Sequence, residues 1–190
     1  MDKNTYEKYT KILSERLNEK RYHHSLCVAD EAKRLAIKYG GDAEKCYLAG
    51  LLHDITKNAD NKEHLQIFET FGIMLNAYES SFKLWHAMSG AAYIEHILMI
   101  KDEELLDAVR YHTTAKANMS LTAKILYLAD YTSEDRDYSD VDVMRVLVDK
   151  SLEDAMKYAL KYTISDLVSE NRVIHPDTLA AYNEVMLGTV

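Results

Sequence analysis

The stretch L-A-G-L-L-H-D-I, residues 48–55, is apolar on almost every side and ends in a histidine followed by an aspartate. A helix that is apolar nearly all round belongs in the middle of a domain rather than on its surface. Asp42, a few residues upstream, is a favourable N-cap for such a helix. The stretch therefore predicts a central buried helix that carries His53 and Asp54 into the core.

Helical periodicity continues through most of the remaining sequence. Six glycines and one proline in 190 residues leave few breakers, and we find no alternating strand pattern. The pattern predicts an all-α fold, with a short helix that ends at Gly72, a last helix that opens at Pro176, and helices at 21–39, 82–99, 103–112, 120–131 and 141–162. We expect one domain over 1–190, with a core of roughly 20–160 and C-terminal helices at 141–190 that pack on it.

Composition narrows the class of function. The formal charge is −8, from 31 acidic and 23 basic residues, which argues against binding nucleic acid over a broad basic face. Two cysteines cannot build a disulfide framework, and the charged N-terminus lacks the apolar segment of a signal peptide. No apolar run reaches the roughly 18 residues of a membrane span. We expect a cytoplasmic protein with a small-molecule partner.

Six polar residues fall on the inward faces or inner ends of five predicted helices. They are His24, His53, Asp54, His86, His112 and Asp130. Buried imidazoles and carboxylates are costly unless they are paired, hydrogen-bonded or bound to a metal ion. One alone is as readily a satisfied core residue, but six together favour a metal site in the core of a helical bundle. The donor set suits Fe, Mn, Co, Ni or Zn. The other histidines, His23, His64, His96 and His175, are predicted to lie outside this site.

Five ordered motifs around these residues carry a family resemblance. They are R-Y-x-H at 21–24, L-A-G-L-L-H-D-I-T-K at 48–57, W-H-A-x-S-G at 85–90, Y-H-T-T at 111–114 and Y-L-A-D-Y at 127–131. Together they resemble the YqeK-type hydrolases of the HD-domain superfamily, which are symmetrical bis(5'-nucleosyl)-tetraphosphatases. The resemblance covers roughly residues 6–160.

The resemblance implies a dinuclear centre, with iron as the first choice of metal. One ion would be held by His24, His53, Asp54 and Asp130, and the other by Asp54, His86 and His112. Asp54 would bridge the two ions, because a carboxylate has two oxygens that can reach both. The implied reaction is hydrolysis of diadenosine tetraphosphate by a metal-bound hydroxide to two nucleoside diphosphates. A homodimer is also plausible on this basis.

A polyphosphate substrate needs cations beyond the metal ions. We expect Lys57 and Arg136 to contact phosphate and, with Asp54, to form the catalytic set. Arg21 is a further candidate for substrate binding, although any of these cations could instead be solvated surface groups. Thr113 and Thr114 are expected to line the nucleotide cleft.

Two segments depart from the family pattern, and the departures keep other functions open. Ala115 stands where the family has glycine, and T-S-E-D-R at 132–136 stands where the family tends to have E-P-x-R. Both segments flank the expected nucleotide site. The alternatives are an HD phosphohydrolase that acts on a mono-, tri- or cyclic nucleotide, and a non-catalytic nucleotide-binding regulator.

Overall fold

The computed structural model describes residues 3–79 and 81–188. These residues form an all-α fold, as predicted. The helices are α1 (Lys3–Arg16), α2 (Glu19–Tyr39), α3 (Ala43–Leu52), α4 (Asn61–Phe71), α5 (Phe82–His96), α6 (Glu103–Tyr111), α7 (Leu121–Thr132), α8 (Val141–Lys150), α9 (Leu152–Ser169) and α10 (Pro176–Leu187), with a 3-10 turn at Ala77–Glu79. Among these helices, none combines the length and the apolar character that crossing a membrane takes.

Local capping chemistry explains several of the helix ends. The Asp42 side chain accepts hydrogen bonds from two backbone N–H groups at the start of α3, as the sequence predicts. Gly72 ends α4 in the left-handed conformation, with φ of 68°. Pro176 occupies the first turn of α10, where its missing N–H costs nothing.

The core is built around α3, which packs against α2 and α7. Leu51 and Leu52 are fully buried. The α2–α3 contact is close because of Gly50, where a Cβ atom would lie 2.7 Å from the Ala29 Cα atom. A larger residue at position 50 would force the two helices apart, and with them the turn that follows α3.

Two helix predictions need correction. The helix expected over 141–162 is divided at Ser151, whose extended backbone ends α8 and whose side chain caps α9 by accepting from the Asp154 N–H. Apolar periodicity continues across this break, so the pattern did not indicate it. The helix expected to run through Ile55 ends at Leu52, and His53 and Asp54 lie in the turn that follows.

Candidate metal centre

Five helices bring the six candidate ligands to one place in the core. His24 lies on α2, His86 on α5 and Asp130 on α7, while His53, Asp54 and His112 lie just past the ends of α3 and α6. We call these six residues the centre. The four histidines and Asp54 are buried, and the Asp130 side chain is 19% exposed.

The centre has two halves that meet at Asp54. In the first half, made of His24, His53 and Asp130, Asp130 Oδ1 lies 2.9 Å from His24 Nε2 and 3.8 Å from His53 Nε2. In the second half, made of Asp54, His86 and His112, Asp54 Oδ1 lies 3.1 Å from His86 Nε2 and 3.7 Å from His112 Nε2. The other oxygen, Asp54 Oδ2, lies 3.6 Å from His53 Nε2, so Asp54 faces both halves.

The surroundings orient three of the imidazole rings in the same way. His53 Nδ1 lies 2.7 Å from the Gly50 carbonyl oxygen, and His112 Nδ1 lies 2.7 Å from the Val109 carbonyl oxygen. A carbonyl oxygen only accepts, so each Nδ1 carries its proton and leaves the Nε2 lone pair facing the centre. His24 Nδ1 is held in the same manner by a carboxylate oxygen of Asp135, 2.8 Å away. A hydrogen bond from the ring N–H that faces away from the metal is typical of metal-binding histidines.

Unsatisfied lone pairs show that these residues fit a metal ion. His53 Nε2 and Asp54 Oδ1 are buried, and neither has a hydrogen-bond partner among the residues that the structure describes. His86 Nε2 lies 2.9 Å from Lys57 Nζ and 3.1 Å from the lone pair of His112 Nε2. Donor atoms bound to one ion at about 2.1 Å lie about 3 Å apart, as they do here.

The protonation states of His53, His86 and Asp54 also suit a cation. Burial lowers the pKa of His53 to about 3 and that of His86 to about 4, which leaves both imidazoles neutral near pH 7. Burial raises the pKa of the Asp54 carboxyl, but its neighbours, His53 first, outweigh that effect and hold this pKa well below its usual range. Neutral imidazole and ionised carboxylate are the metal-binding forms.

The three cations expected at the site all contact its carboxylates. Lys57 Nζ lies 2.9 Å from His86 Nε2 and 3.5 Å from Asp54 Oδ1. Arg21 Nη1 donates to Asp54 Oδ2 at 3.1 Å. Arg136 forms an ion pair with the Asp130 carboxylate and also donates to its backbone carbonyl. Each carboxylate of the centre is therefore bordered by positive charge.

The residues that hold the 132–136 loop carry no recognisable signal in the sequence. Arg145 on α8 donates to four carbonyl oxygens of this loop, at 2.9 to 3.3 Å. Ser133 Oγ donates to Asp135 Oδ1 at 2.8 Å, and Asp135 in turn contacts His24. Here, where the loop departs from the family pattern, it supplies a carboxylate that orients a candidate ligand. No spacing in the sequence indicates a contact between residues 111 positions apart.

The other departure, Ala115, has a backbone explanation. Its φ is 56°, in the left-handed region that favours glycine, and the residue is fully buried. The preceding Thr114 is also buried, and its carbonyl oxygen accepts from Thr178 Oγ1 at 2.7 Å. Thr113 lines a cleft beside the centre and a second cavity further out. The segment thus keeps its sharp turn without glycine.

His64 is buried although it is not one of the six residues of the centre. Its Nδ1 atom lies 2.8 Å from Ser89 Oγ. Ser89 Oγ is 2.8 Å from Thr56 Oγ1, which donates to the His86 backbone carbonyl at 2.9 Å. His64 therefore belongs to a buried polar chain behind the centre. Its partners come from α5 and from the turn after α3.

Comparisons with known proteins agree with this fold. The family model described as HD domain matches residues 21–135. The proteins named symmetrical bis(5'-nucleosyl)-tetraphosphatase from Bacillus subtilis (strain 168) and Halalkalibacterium halodurans are 33% and 36% identical to this chain. The alignments cover 93% and 95% of this chain, and 95% and 96% of those proteins.

A solved structure is also similar over nearly its whole length. It is the crystal structure of a predicted HD superfamily hydrolase involved in NAD metabolism from Clostridium acetobutylicum, with 34% identity and a TM-score of 0.90. The match covers 96% of this chain and 97% of that one. The fold is that of an HD-domain hydrolase, and a cluster of buried histidines and aspartates lies in its core. The chain belongs to the HD-domain family and, within it, to the symmetrical bis(5'-nucleosyl)-tetraphosphatases.

Proposed function

We propose that this protein hydrolyses dinucleoside tetraphosphates, diadenosine tetraphosphate in particular, symmetrically to two nucleoside diphosphates. The observation that carries the proposal is the position of Asp54, whose two oxygens face the two halves of the centre. The name shared by the relatives from Bacillus subtilis and Halalkalibacterium halodurans supports the substrate and the symmetrical cleavage.

The residues of the centre would hold two metal ions. We assign one ion to His24, His53, Asp54 and Asp130, and the other to Asp54, His86 and His112, with iron as the expected metal. Bound metal ions supply Lewis acidity, which activates water and withdraws charge from the attacked phosphate. We also propose a homodimer, from the family resemblance, and a cytoplasmic location, from the composition. Elemental analysis tests the metal, and light scattering tests the dimer.

Lys57 is proposed to stabilise negative charge on the substrate. It lines the cleft of about 400 Å³ beside the centre, together with His86 and His112. Burial lowers the pKa of Lys57, although the Asp54 carboxylate opposes this effect. A preorganised ammonium in a partly desolvated cleft stabilises the charge that develops on a phosphate more strongly than the same group in water.

Arg136 is proposed to bind a phosphate while it is held in place by Asp130. Its contacts with Asp130 run through Nε and Nη2. The guanidinium has five N–H donors, so the Nη1 side can serve a phosphate oxygen in the cleft that Arg136 also lines. Arg21, which donates to Asp54 Oδ2, is proposed as a second contact with phosphate.

The test is product analysis with purified, metal-loaded protein and diadenosine tetraphosphate. We expect ADP as the sole nucleotide product, separated by anion-exchange chromatography. AMP and ATP in equal amounts would overturn symmetrical cleavage. Absence of turnover by protein that carries its full metal complement would overturn the proposed substrate.

A further inference from the structure

The turn at 53–58 carries Asp54 and Lys57 outside any regular helix. Inside the turn, the Ile55 N–H donates to the Leu52 carbonyl oxygen at 3.1 Å, and the Lys57 N–H donates to that of Asp54 at 2.8 Å. Past the end of a helix, carbonyl groups lose the N–H partner four residues ahead and need another one. The position of this turn therefore depends on contacts from other elements of the fold.

Arg16, the last residue of α1, supplies one of these contacts. Its Nε atom donates to the Ile55 carbonyl oxygen at 3.0 Å, although the two residues are 39 positions apart in the sequence. Ile55 directly follows Asp54 and stands two positions before Lys57. A hydrogen bond from a charged donor is stronger than one between neutral groups. Arg16 thus holds the backbone between the Asp54 carboxylate and the Lys57 ammonium.

Two further contacts hold the Arg16 guanidinium itself. Its Nη2 atom forms an ion pair with Glu63 of α4. Its central carbon lies over the ring of Tyr93 on α5, 4.3 Å from the ring centroid. A planar guanidinium can bind oxygen atoms along one edge and an aromatic ring on its face at the same time, which an ammonium cannot do. Arg16 therefore connects the turn to α4 and α5 and is not a solvated surface cation.

The other contacts to this turn leave the Ile55 carbonyl to Arg16. Asn58 Oδ1 accepts from the Asn18 N–H at 2.8 Å, and Thr56 Oγ1 donates to the His86 carbonyl oxygen at 2.9 Å. These bonds hold the end of the turn to the start of α2 and its middle to α5. Loss of the Arg16 side chain would therefore release one defined peptide unit and not the whole turn.

We propose that Arg16 is a positioning residue, which fixes the turn at 53–58 and thereby places the Asp54 carboxylate between the two halves of the centre and Lys57 at the cleft. Arg16 does not line that cleft, so its effect passes through the turn. Metal binding and charge stabilisation both depend on placement to within a fraction of an ångström. The role of Lys57 towards substrate rests on the proposed function.

Hydrogen–deuterium exchange, followed by mass spectrometry, tests whether Arg16 holds the turn. Arg16→Met keeps an unbranched apolar side chain and loses every donor. Exchange in peptides that cover 53–58 should become about tenfold faster in this variant, while exchange in α9 stays unchanged. Arg16→Lys keeps the charge and a single donor group, so its exchange should rise by only about threefold. The control Lys11→Met removes an equal charge from the exposed face of α1 and should match the wild type.

Cobalt(II) binding tests whether the turn places Asp54. Arg16→Met should change the visible absorption spectrum of the cobalt-loaded protein and weaken cobalt binding about tenfold, as expected when the support of a metal ligand is lost. Tyr39→Phe controls for stability, because it removes a hydrogen bond to the Val148 carbonyl oxygen in another part of the fold. It should lower the free energy of unfolding and leave the spectrum and the affinity for cobalt unchanged.

Wild-type exchange at 53–58 in Arg16→Met would overturn the proposal, and so would a wild-type affinity for cobalt. The same loss of affinity in Tyr39→Phe would also overturn it, because the loss would then follow from reduced stability. Neither measurement uses substrate. Wild-type protein that binds cobalt but releases no ADP from diadenosine tetraphosphate would contradict the proposed function alone. Wild-type protein that releases ADP, with no change of exchange or affinity in Arg16→Met, would contradict this inference alone.

Discussion

The two halves of the centre are supported in different ways. In the first half, charged side chains of one loop hold two of the three ligands: Asp135 contacts His24, and Arg136 pairs with Asp130. In the second half, the support comes from other elements: the Val109 carbonyl, in the helix that ends just before His112, fixes the ring of that residue, and Arg21 and Lys57 contact Asp54. Side-chain substitutions in the 132–136 loop should therefore change metal binding in the first half and not in the second.

The difference between the two halves coincides with a difference between this chain and the family pattern. The segment 132–136 differs from the pattern, and it contains Asp135 and Arg136, which support the first half, although Arg136 itself matches the arginine of E-P-x-R. The loop is fixed from outside by Arg145, which binds its carbonyl oxygens. The second half depends on helix packing around Gly50 and on the turn after α3 that carries Asp54, where the sequence predicts a continuous helix.

The largest effect should come from Asp54, because it belongs to both halves. Asp54→Asn should lower the rate of ADP release by about 1000-fold or more, since the amide loses the negative charge that faces two sets of histidines. The measurement is turnover together with metal content per chain by mass spectrometry. Full metal content in this variant would contradict the bridging assignment.

Lys57 tests the second half without removing a proposed ligand. Lys57→Ala should leave the metal content unchanged and lower turnover about 100-fold, as expected for the loss of one preorganised charge at the transition state. Lys62→Ala is the matched control, because Lys62 is exposed on α4. Loss of metal from Lys57→Ala would mean that the lysine supports the ligands instead of the substrate.

Asp135 tests the dependence of the first half on its loop. Asp135→Asn should weaken metal binding in the first half by about 10- to 100-fold, because the carboxylate orients His24 and raises its basicity as a ligand. Titration with a competing chelator would measure this change. Glu134→Gln removes the same charge from the neighbouring position and should behave like the wild type. Equal affinities in the two variants would remove the orienting role of Asp135.

Arg145 should give the smallest effect. Arg145→Ala should lower the free energy of unfolding by about 1–2 kcal/mol, because water can replace part of the hydrogen bonding to partly exposed carbonyl groups. Arg145→Lys keeps the charge but loses the planar guanidinium with its several N–H donors. The decrease in its free energy of unfolding should therefore be intermediate. Urea denaturation of both variants provides the measurement. An unchanged free energy of unfolding in Arg145→Ala would show that the loop is stable without the hydrogen bonds of Arg145.

The sequence predicts the parts of this molecule that depend on periodicity. The all-α fold and the convergence of His24, His86 and Asp130 follow from polar residues placed on apolar helix faces. The break at Ser151 does not follow, because apolar spacing continues across it. The contacts of Asp135 and Arg145 also escape prediction, since they join side chains and carbonyl groups that only the folded chain brings together.

The measurement that tests the account most directly is the number of metal ions per chain in three proteins. The wild type should carry two ions. His24→Ala should lose the ion of the first half and His112→Ala that of the second, so each variant should carry one. A single ion in the wild type, or loss of all metal in either variant, would contradict two halves that share Asp54.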